Sequence, residues 1–430
     1  MNYCIRVPVV SLFCIAIVLF SSCQSKKAIE HDGKGRELIQ EADAQHIDIK
    51  VGAQVLLQEH LDELRSRSIG LVMNPTSRVE GVHMLDTLMA LGIPIKALFA
   101  AEHGFRGNQG AGEMIQDGLD EATGLTVFSL YGATKKPTTK MLENIDVLLF
   151  DMQDVGARFY TYNSTMKYII EASAEQGVDV WILDRPNPLG GDYVAGWVLE
   201  TEYSSFVGTY PIPIAHGLTL GELAQMALGE GWFDTNAEVN LRVIPVRGWQ
   251  RNMKWSDTQL EWVPPSPNLP TFEHAYAYVG TCFFEGTTLS EGRGTEHPFL
   301  MVGGVSTDIG EDIMFWSDRG VHLLPSQFMP VSMHGKALRP KGEGIPINGI
   351  KWENALDHED PLTVGLRMMQ WLMERSPEAE YNDYLYLLAG TDRIDELIRE
   401  SIDLETDSLD IDWGIEFESY IQKRTSYLMY

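Results

Sequence analysis

The chain has 430 residues, 44% of them hydrophobic, which is enough for about two or three domains of ordinary size. Its 61 acidic side chains outnumber 33 lysines and arginines, and the formal net charge of −28 disfavours nucleic acid and anionic bilayer surfaces as partners. After the first 20 residues there is no apolar run of the ~18 residues that a membrane-embedded body would need.

The N-terminus reads as an export signal. Met1 to Arg6 carries a positive charge, Val7 to Phe20 is apolar, and Phe20-Ser21-Ser22-Cys23 closes the run with small residues before a cysteine. This order resembles the bacterial lipoprotein signal, whose cysteine is acylated after cleavage. The run is also shorter than the ~20 residues of a spanning helix. The expectation is a signal peptide over residues 1–23, a lipid on Cys23, and an exported protein tethered to a bacterial membrane, facing the periplasm or the surface. Loss of Cys4 and Cys14 with the signal leaves Cys282 as the only free thiol, so no internal disulfide is expected. Residues 24–50 are polar with little periodicity and read as a tether.

From Val51 helices and strands alternate. Apolar residues at Val55, Leu56, Leu61 and Leu64 predict a helix over Gln54 to Arg67, and Ile69 to Met73 follows as a strand. A helix over Val82 to Leu91 and a strand from Pro94 come next, then a glycine-rich excursion over Gly104 to Gly124 and a strand over Thr126 to Tyr131. The series continues with a helix at Thr138 to Asn144, a strand at Val147 to Phe150, a helix at Tyr162 to Gln176 and a strand at Val180 to Leu183. Such alternation predicts an α/β fold, a Rossmann-like parallel sheet with helices on both faces.

Beyond Pro211 the texture changes. Leu220 to Leu228 reads as a helix capped by Thr219, and Leu241 to Pro245 as a short strand. The proline-rich stretch from Trp262 to Pro270 reads as a rigid connector. After it Thr281 to Phe284 is strand-like, Gly303 and Gly304 interrupt the chain, and helices return at Pro361 to Arg375 and Asp392 to Ser401. A boundary near Pro264 divides a Rossmann-like catalytic domain, residues 51–263, from a smaller mixed α/β domain, residues 264–430, that completes a cleft.

Polar clusters follow the apolar runs. Asn74-Pro75-Thr76 follows the first strand and Glu102-His103-Gly104 the second, while Asp151, Gln153 and Asp154 follow the Val147 strand and Asp184-Arg185-Pro186-Asn187 the Val180 strand. In open α/β sheets ligands bind outside the carboxyl ends of the strands. Glu102, leaving an interior strand beside His103, is placed where partial burial would raise its pKa toward that of a general acid; a capping or loop carboxylate is the plainer reading. Arg158 offers a partner to Asp151 or Asp154, and Tyr160 and Tyr162 are rings suited to a sugar face, although core packing is the commoner use of tyrosine. In the second domain Glu285 to Pro298 packs Glu285, Glu291, Arg293 and Glu296 among glycines, a composition that suits a loop approaching a ligand closely.

Other chemistries lack their motifs. The sequence has no G-x-G-x-x-G, no G-x-x-x-x-G-K-[ST], no H-E-x-x-H and no G-x-S-x-G. No cofactor and no metal are expected. Gly107, Gly110 and Gly112 sit inside a long loop and do not join a strand to a helix. Carboxylates with amides and aromatic rings remain, the equipment for cleaving a glycosidic bond.

The ordered series Asn74-Pro75-Thr76, Glu102-His103-Gly104-Phe105-Arg106-Gly107, Ser129-Leu130-Tyr131-Gly132, Asp151 to Arg158, Asp184 to Pro188, and Glu285-Gly286 to Glu296 resembles the NamZ-type exo-β-N-acetylmuramidases, glycoside hydrolase family 171. The resemblance runs from about Val51 to the C-terminus. It implies a Rossmann-like domain, a smaller C-terminal domain, an active site between them, and release of terminal N-acetylmuramic acid from the non-reducing end of peptidoglycan fragments. It also implies that Glu102, in the E-H-G motif, is the catalytic glutamate. The expected partners are peptidoglycan-derived muropeptides or disaccharides, with the membrane reached through a lipid anchor only.

The residues fit such a substrate. Arg158, Arg185 and Arg293 are candidates for the lactyl carboxylate of muramic acid, and Asn74, Gln153 and Asn187 for its acetamido group. Glu102 is expected as general acid and Asp151 or Glu296 as base or nucleophile. A carboxyl separation of ~5–5.5 Å would mean retention and ~6.5–9.5 Å inversion, with assistance by the acetamido group a third route. Two alternatives stay open: a non-catalytic sugar- or muropeptide-binding lipoprotein, and an esterase or amidase using the same cleft.

Overall fold

The computed structural model describes residues 28–31, 37–40, 48–105, 117–400 and 409–430. The expected signal sequence with Cys23, much of the polar segment 24–50, and Gly107, Gly110 and Gly112 lie outside the described residues. The chain divides into two units, Met1–Ile47 and Asp48–Tyr430. In the first, Ala28–His31 pairs antiparallel with Glu37–Gln40. No helix among the described residues is long and apolar enough to cross a membrane.

The second unit is built on a sheet whose six parallel strands run in the spatial order Leu241–Ile244, Asp179–Leu183, Val147–Asp151, Ile69–Met73, Ile95–Ala100 and Thr126–Ser129. A two-residue antiparallel strand, Gly118–Leu119, ends it. In chain order this is the 3-2-1-4-5-6 arrangement of doubly wound folds. Residue alternation shows why the strands are apolar throughout. Ile69, Leu71, Met73, Val147, Leu149, Trp181 and Leu183 enter one core with residues of the helices at 52–64 and Met84–Ala90. Val72, Phe99, Leu148, Phe150, Val180 and Ile182 enter the other, beneath Tyr162–Gln176 and Leu220–Gly229. Each fully buried aliphatic or aromatic side chain contributes about 1.5–3 kcal/mol, so both faces hold the sheet.

A smaller antiparallel sheet follows, in the order Met301–Gly304, Ile347–Glu353, His322–Phe328. Its surroundings correct two expectations. The run Thr281 to Phe284 is not a strand: Phe272–Thr281 is a helix that passes into a 3-10 turn over Cys282–Gly286. A short apolar stretch buried on every side carries no period to separate the two conformations. What favours the helix is tertiary, since Gly280 lies so close to Gly365 of the Pro361–Glu374 helix that a β-carbon there would overlap the backbone of Pro361. Likewise Gly303 and Gly304 do not break the chain but form a strand. Gly303 pairs with Gly349, and a β-carbon at Gly303 would lie 2.3 Å from the Asn348 carbonyl oxygen.

The final segments return to the large sheet. Tyr430 Oη donates to Asp184 at 2.7 Å and Tyr420 Oη to the His216 carbonyl at 2.6 Å. The core under the Tyr162–Gln176 helix continues into the Phe272–Thr281 and Pro361–Glu374 helices, so the two sheets share one interior.

Candidate active site

All six parallel strands open onto one edge, but the structure treats their ends in two ways. At the switch point between Ile69–Met73 and Val147–Asp151, where doubly wound folds usually bind a ligand, the polar residues bond mainly to one another and to backbone, with Asn74 Nδ2, Gln153 Oε1 and Asp154 Oδ1 buried and left over. Asn74 Oδ1 accepts from Thr76 N at 2.9 Å and Thr76 Oγ1 at 2.6 Å. Gln153 N donates to Thr76 Oγ1 at 2.9 Å, and its side-chain amide to the carbonyls of Asp154 and Pro186, both at 2.9 Å. Asp154 accepts from Gly156 N at 2.8 Å.

The adjoining strand end is equally closed. Arg185 grips Asp151 through two hydrogen bonds, Nε to Oδ1 at 2.6 Å and Nη2 to Oδ2 at 3.1 Å, and both residues are buried. Asp184 accepts from Thr219 Oγ1 at 2.6 Å and Gly221 N at 2.8 Å, tying its strand to the start of the Leu220–Gly229 helix. Thr219 caps that helix in a reciprocal box with Glu222, as the sequence predicts. Burial raises the Asp184 pKa to about 6. Asn187 Nδ2 donates to the Leu218 carbonyl at 3.0 Å while its Oδ1 accepts from Leu189 N at 3.0 Å.

The expectations that Asp151 is a base or nucleophile, that Arg185 and Arg158 read a carboxylate, and that Asn74, Gln153 and Asn187 hold an acetamido group are therefore corrected. Arg158 is fully enclosed and donates to four backbone carbonyls, those of Trp197 (2.8 Å), Ile212 (2.9 Å), Leu388 (2.9 Å) and Ala389 (2.7 Å). It fastens the C-terminal region to the sheet domain and neutralises neither Asp151 nor Asp154.

The open site lies over the next two strand ends. A cavity of about 890 Å³ is walled on the sheet side by Glu102, His103, Tyr131 and the segment Phe159 to Thr161. On the far side stand Tyr278, Glu285, Glu291, Arg293 and Tyr384, and a third wall is the stretch Lys336 to Lys341.

Glu102 is held at the end of Ile95–Ala100 by a tight turn in which Gly104 N donates to the Ala101 carbonyl at 3.0 Å. Both His103 (φ 72°) and Gly104 (φ 80°) are left-handed. For His103, which is buried, that conformation is uncommon, and such strain gathers where a side chain must be aimed. Thr161 Oγ1 donates to Glu102 Oε2 at 2.8 Å, and the Tyr131 phenol lies near enough to the same carboxyl group to feel its charge. Burial first, and the Glu102 charge second, push the Tyr131 pKa up, so the phenol keeps its proton and remains a donor.

Across the cavity Glu285 accepts from Arg293 Nη2 at 2.6 Å. Glu291 lies 3.5 Å from Arg293 Nε and 3.1 Å from Lys341 Nζ, and the Arg293 guanidinium rests over the Phe299 ring at 4.9 Å. The charge of Glu285 reaches both Tyr131 and Tyr384, each of which also feels Glu102. Tyr160 lines the cavity with its ring edge-on to Tyr162, centroids 4.8 Å apart.

The 285–296 loop thus forms the opposite wall, with one exception. Glu296 is exposed and does not line the cavity, which corrects its assignment as base or nucleophile. Tyr131, Thr161, Tyr278, Tyr384 and the Lys336 to Lys341 wall were not singled out as site residues from sequence. Tyr131 was within reach because it follows a strand, and Thr161 because it adjoins Tyr160. The 336–341 wall carries no periodicity or motif that marks it. Among the described residues no group of three or more histidine, cysteine or acidic side chains is arranged to hold a metal ion.

A carboxyl group bonded by a threonine hydroxyl beside a tyrosine phenol, faced by a second carboxyl group in an aromatic-walled cavity of sugar dimensions, is the equipment of a glycosidase set at the edge of an α/β sheet. The chain belongs to the NamZ exo-β-N-acetylmuramidase family, whose N-terminal domain model matches residues 69–273 and whose C-terminal domain model matches residues 276–430. A relative from Bacillus subtilis (strain 168), the peptidoglycan β-N-acetylmuramidase NamZ, is 40% identical over 351 residues, which are 80% of this chain and 81% of the relative. Two solved DUF1343 family proteins from Bacteroides fragilis NCTC 9343 share the fold. One has a TM-score of 0.77 at 30% identity, covering 90% of this chain and 100% of its own. The other has a TM-score of 0.71 at 31% identity, covering 89% and 99%.

Proposed function

We propose that this protein hydrolyses the β-glycosidic bond of a terminal N-acetylmuramic acid at the non-reducing end of peptidoglycan fragments, with Glu102 as the acid that protonates the leaving oxygen. The observation that carries the reading is the Glu102 carboxyl group, lining the cavity at the strained His103-Gly104 turn and held by Thr161, with the Tyr131 phenol beside it. Membership of the muramidase family supports the same substrate. Glu285 is the facing carboxyl group, and its pairing with Arg293 fixes its position on the wall opposite Glu102, where a second carboxyl group can stabilise an oxocarbenium-like transition state.

Incubating the purified protein with a chromogenic N-acetylmuramide and the matching N-acetylglucosaminide tests this directly. Cleavage of the muramide, abolished in Glu102→Gln, is the expected result. Undiminished cleavage by Glu102→Gln would remove Glu102 from the chemistry, and binding without turnover of either glycoside would make the protein a sugar-binding one.

We further propose that the chain is exported and acylated at Cys23, which would place the cavity among cell-wall fragments. The small-small-cysteine ending of the apolar N-terminal run supports it. Metabolic labelling with a clickable fatty acid should mark the wild type and leave Cys23→Ser unmarked; equal labelling of both would exclude the assignment.

A further inference from the structure

In a chain where acids outnumber bases nearly two to one, the cavity is lined by five lysines and arginines and only three glutamates. Two of the five are occupied. Arg293 serves Glu285 and Glu291, while Lys341 serves Glu291 and donates to the Phe284 and Leu289 carbonyls. The other three, Lys135, Lys336 and Arg339, line the same cavity and pair with no carboxylate among the described residues. Cations left in that state around one cavity of an acidic protein mark the place where an anion from outside is received.

The strap that bears two of them is firmly held. Val331 N donates to the Gly294 carbonyl at 3.0 Å, Met333 and Ala337 exchange two hydrogen bonds of 2.8 Å, and Asn268 Nδ2 donates to the Lys336 carbonyl at 2.8 Å. Lys341 anchors its far end. Arg339 is therefore carried between fixed points beside the buried Pro340, with its own side chain exposed, as are those of Lys336 and Lys135. From the opposite wall Lys135 lies over the Phe206 ring at 4.5 Å.

We infer that Arg339, flanked by Lys336 and Lys135, is the specificity-determining residue that receives the lactyl carboxylate of the muramyl ring. The inference rests on the muramidase reading for the identity of the anion. Its chemistry is simple: a planar guanidinium engages a carboxylate through two parallel hydrogen bonds, and an ammonium adds a point charge. A sugar lacking the lactyl ether offers nothing to this wall. Of the arginines that sequence alone suggests for this task, Arg158 and Arg185 are engaged inside the protein, and Arg293 is held by Glu285 and Glu291 with only its Nη1 left over.

The test uses the full-length protein and Arg339→Gln, with Lys336→Gln and Lys135→Gln alongside, against a chromogenic N-acetylmuramide, its lactyl methyl ester and the N-acetylglucosaminide. Loss of a charge-assisted contact should raise KM for the muramide in Arg339→Gln by about 10-fold or more with kcat little changed. KM for the methyl ester should be equal in wild type and variant. An unchanged muramide KM in Arg339→Gln, or equal losses on acid and ester, would overturn the inference. If the wild type cleaved no glycoside, the muramidase reading would fail by itself. Calorimetric binding of free N-acetylmuramic acid against N-acetylglucosamine would then decide this one, with a wild-type preference that Arg339→Gln loses expected, and equal binding by both proteins refuting it.

Discussion

Two stretches of one sheet edge carry the same kinds of side chain and do opposite things. At the ends of Ile69–Met73, Val147–Asp151 and Asp179–Leu183, acids, amides and an arginine close on each other: Asp151 with Arg185, Asn74 with Thr76, Gln153 with two carbonyls. At the ends of Ile95–Ala100 and Thr126–Ser129, Glu102 and Tyr131 face a cavity of about 890 Å³ that a second wall completes. The difference teaches that a polar residue at the carboxyl end of a strand has two uses. It holds the edge of the sheet together where neighbouring strand ends bring complementary groups within hydrogen-bonding distance, and it lines an open cavity where the facing wall stands off from the sheet edge.

Four substitutions test that contrast. The largest effect belongs to Glu102→Gln, which should lower kcat on the muramide by about 10²- to 10⁴-fold, the range for a lost general acid, while the midpoint of denaturant unfolding stays near wild type. Asp151→Asn should do the reverse. Removing one partner of the buried Asp151–Arg185 pair costs about 3–5 kcal/mol of stability, read from urea unfolding, with kcat per folded molecule close to wild type. A large fall in kcat with no loss of stability would show that the closed edge takes part in catalysis.

Asp184→Asn tests the same edge through pH. With the Asp184 pKa raised to about 6 by burial, against ~3.9 in the unfolded chain, the folded state holds the proton more tightly. Its contribution is therefore full below pH ~4 and is lost as pH rises through 6. Two units correspond to about 3 kcal/mol at most. Unfolding free energy measured from pH 4 to 7 should fall less steeply in Asp184→Asn than in wild type, and parallel curves would contradict the assigned shift. The smallest effect is that of Thr161→Val, which removes one hydrogen bond from Glu102. A single neutral hydrogen bond is worth about 0.5–1.5 kcal/mol, so kcat should drop by about 3- to 10-fold; an unchanged rate would show that Tyr131 alone orients the carboxyl group.

Much of this was legible in the chain before its folding was known. The strand Ile69–Met73 and the helix Tyr162–Gln176 fall where the apolar runs and the 3.6-residue period put them, because both report a face that must leave water. Thr219 with Glu222 announces the start of a helix through a purely local exchange of hydrogen bonds. The segment Thr281 to Phe284 was misread for the opposite reason. Its conformation is set by the contact between Gly280 and Gly365, 85 residues further along the chain by subtraction of those positions.

The parallel sheet, the edge on which polar groups collect and the Glu102-His103-Gly104 cluster are legible in residue order alone, and the family resemblance singles out Glu102 among them. These depend on periodicity and on side chains within a few positions of each other. Which of those polar groups are used up depends on contacts between distant parts of the chain. Asp151 and Arg185 are 34 positions apart, and Arg158 meets the carbonyls of Leu388 and Ala389 more than 200 positions away. A carboxylate or guanidinium reads the same in sequence whether its partner is another side chain, a carbonyl or a substrate; burial and distance tell these apart. The Lys336 to Lys341 wall shows this most plainly, since its cations acquire a purpose only when the strap carrying them is laid across the cavity that Glu102 faces.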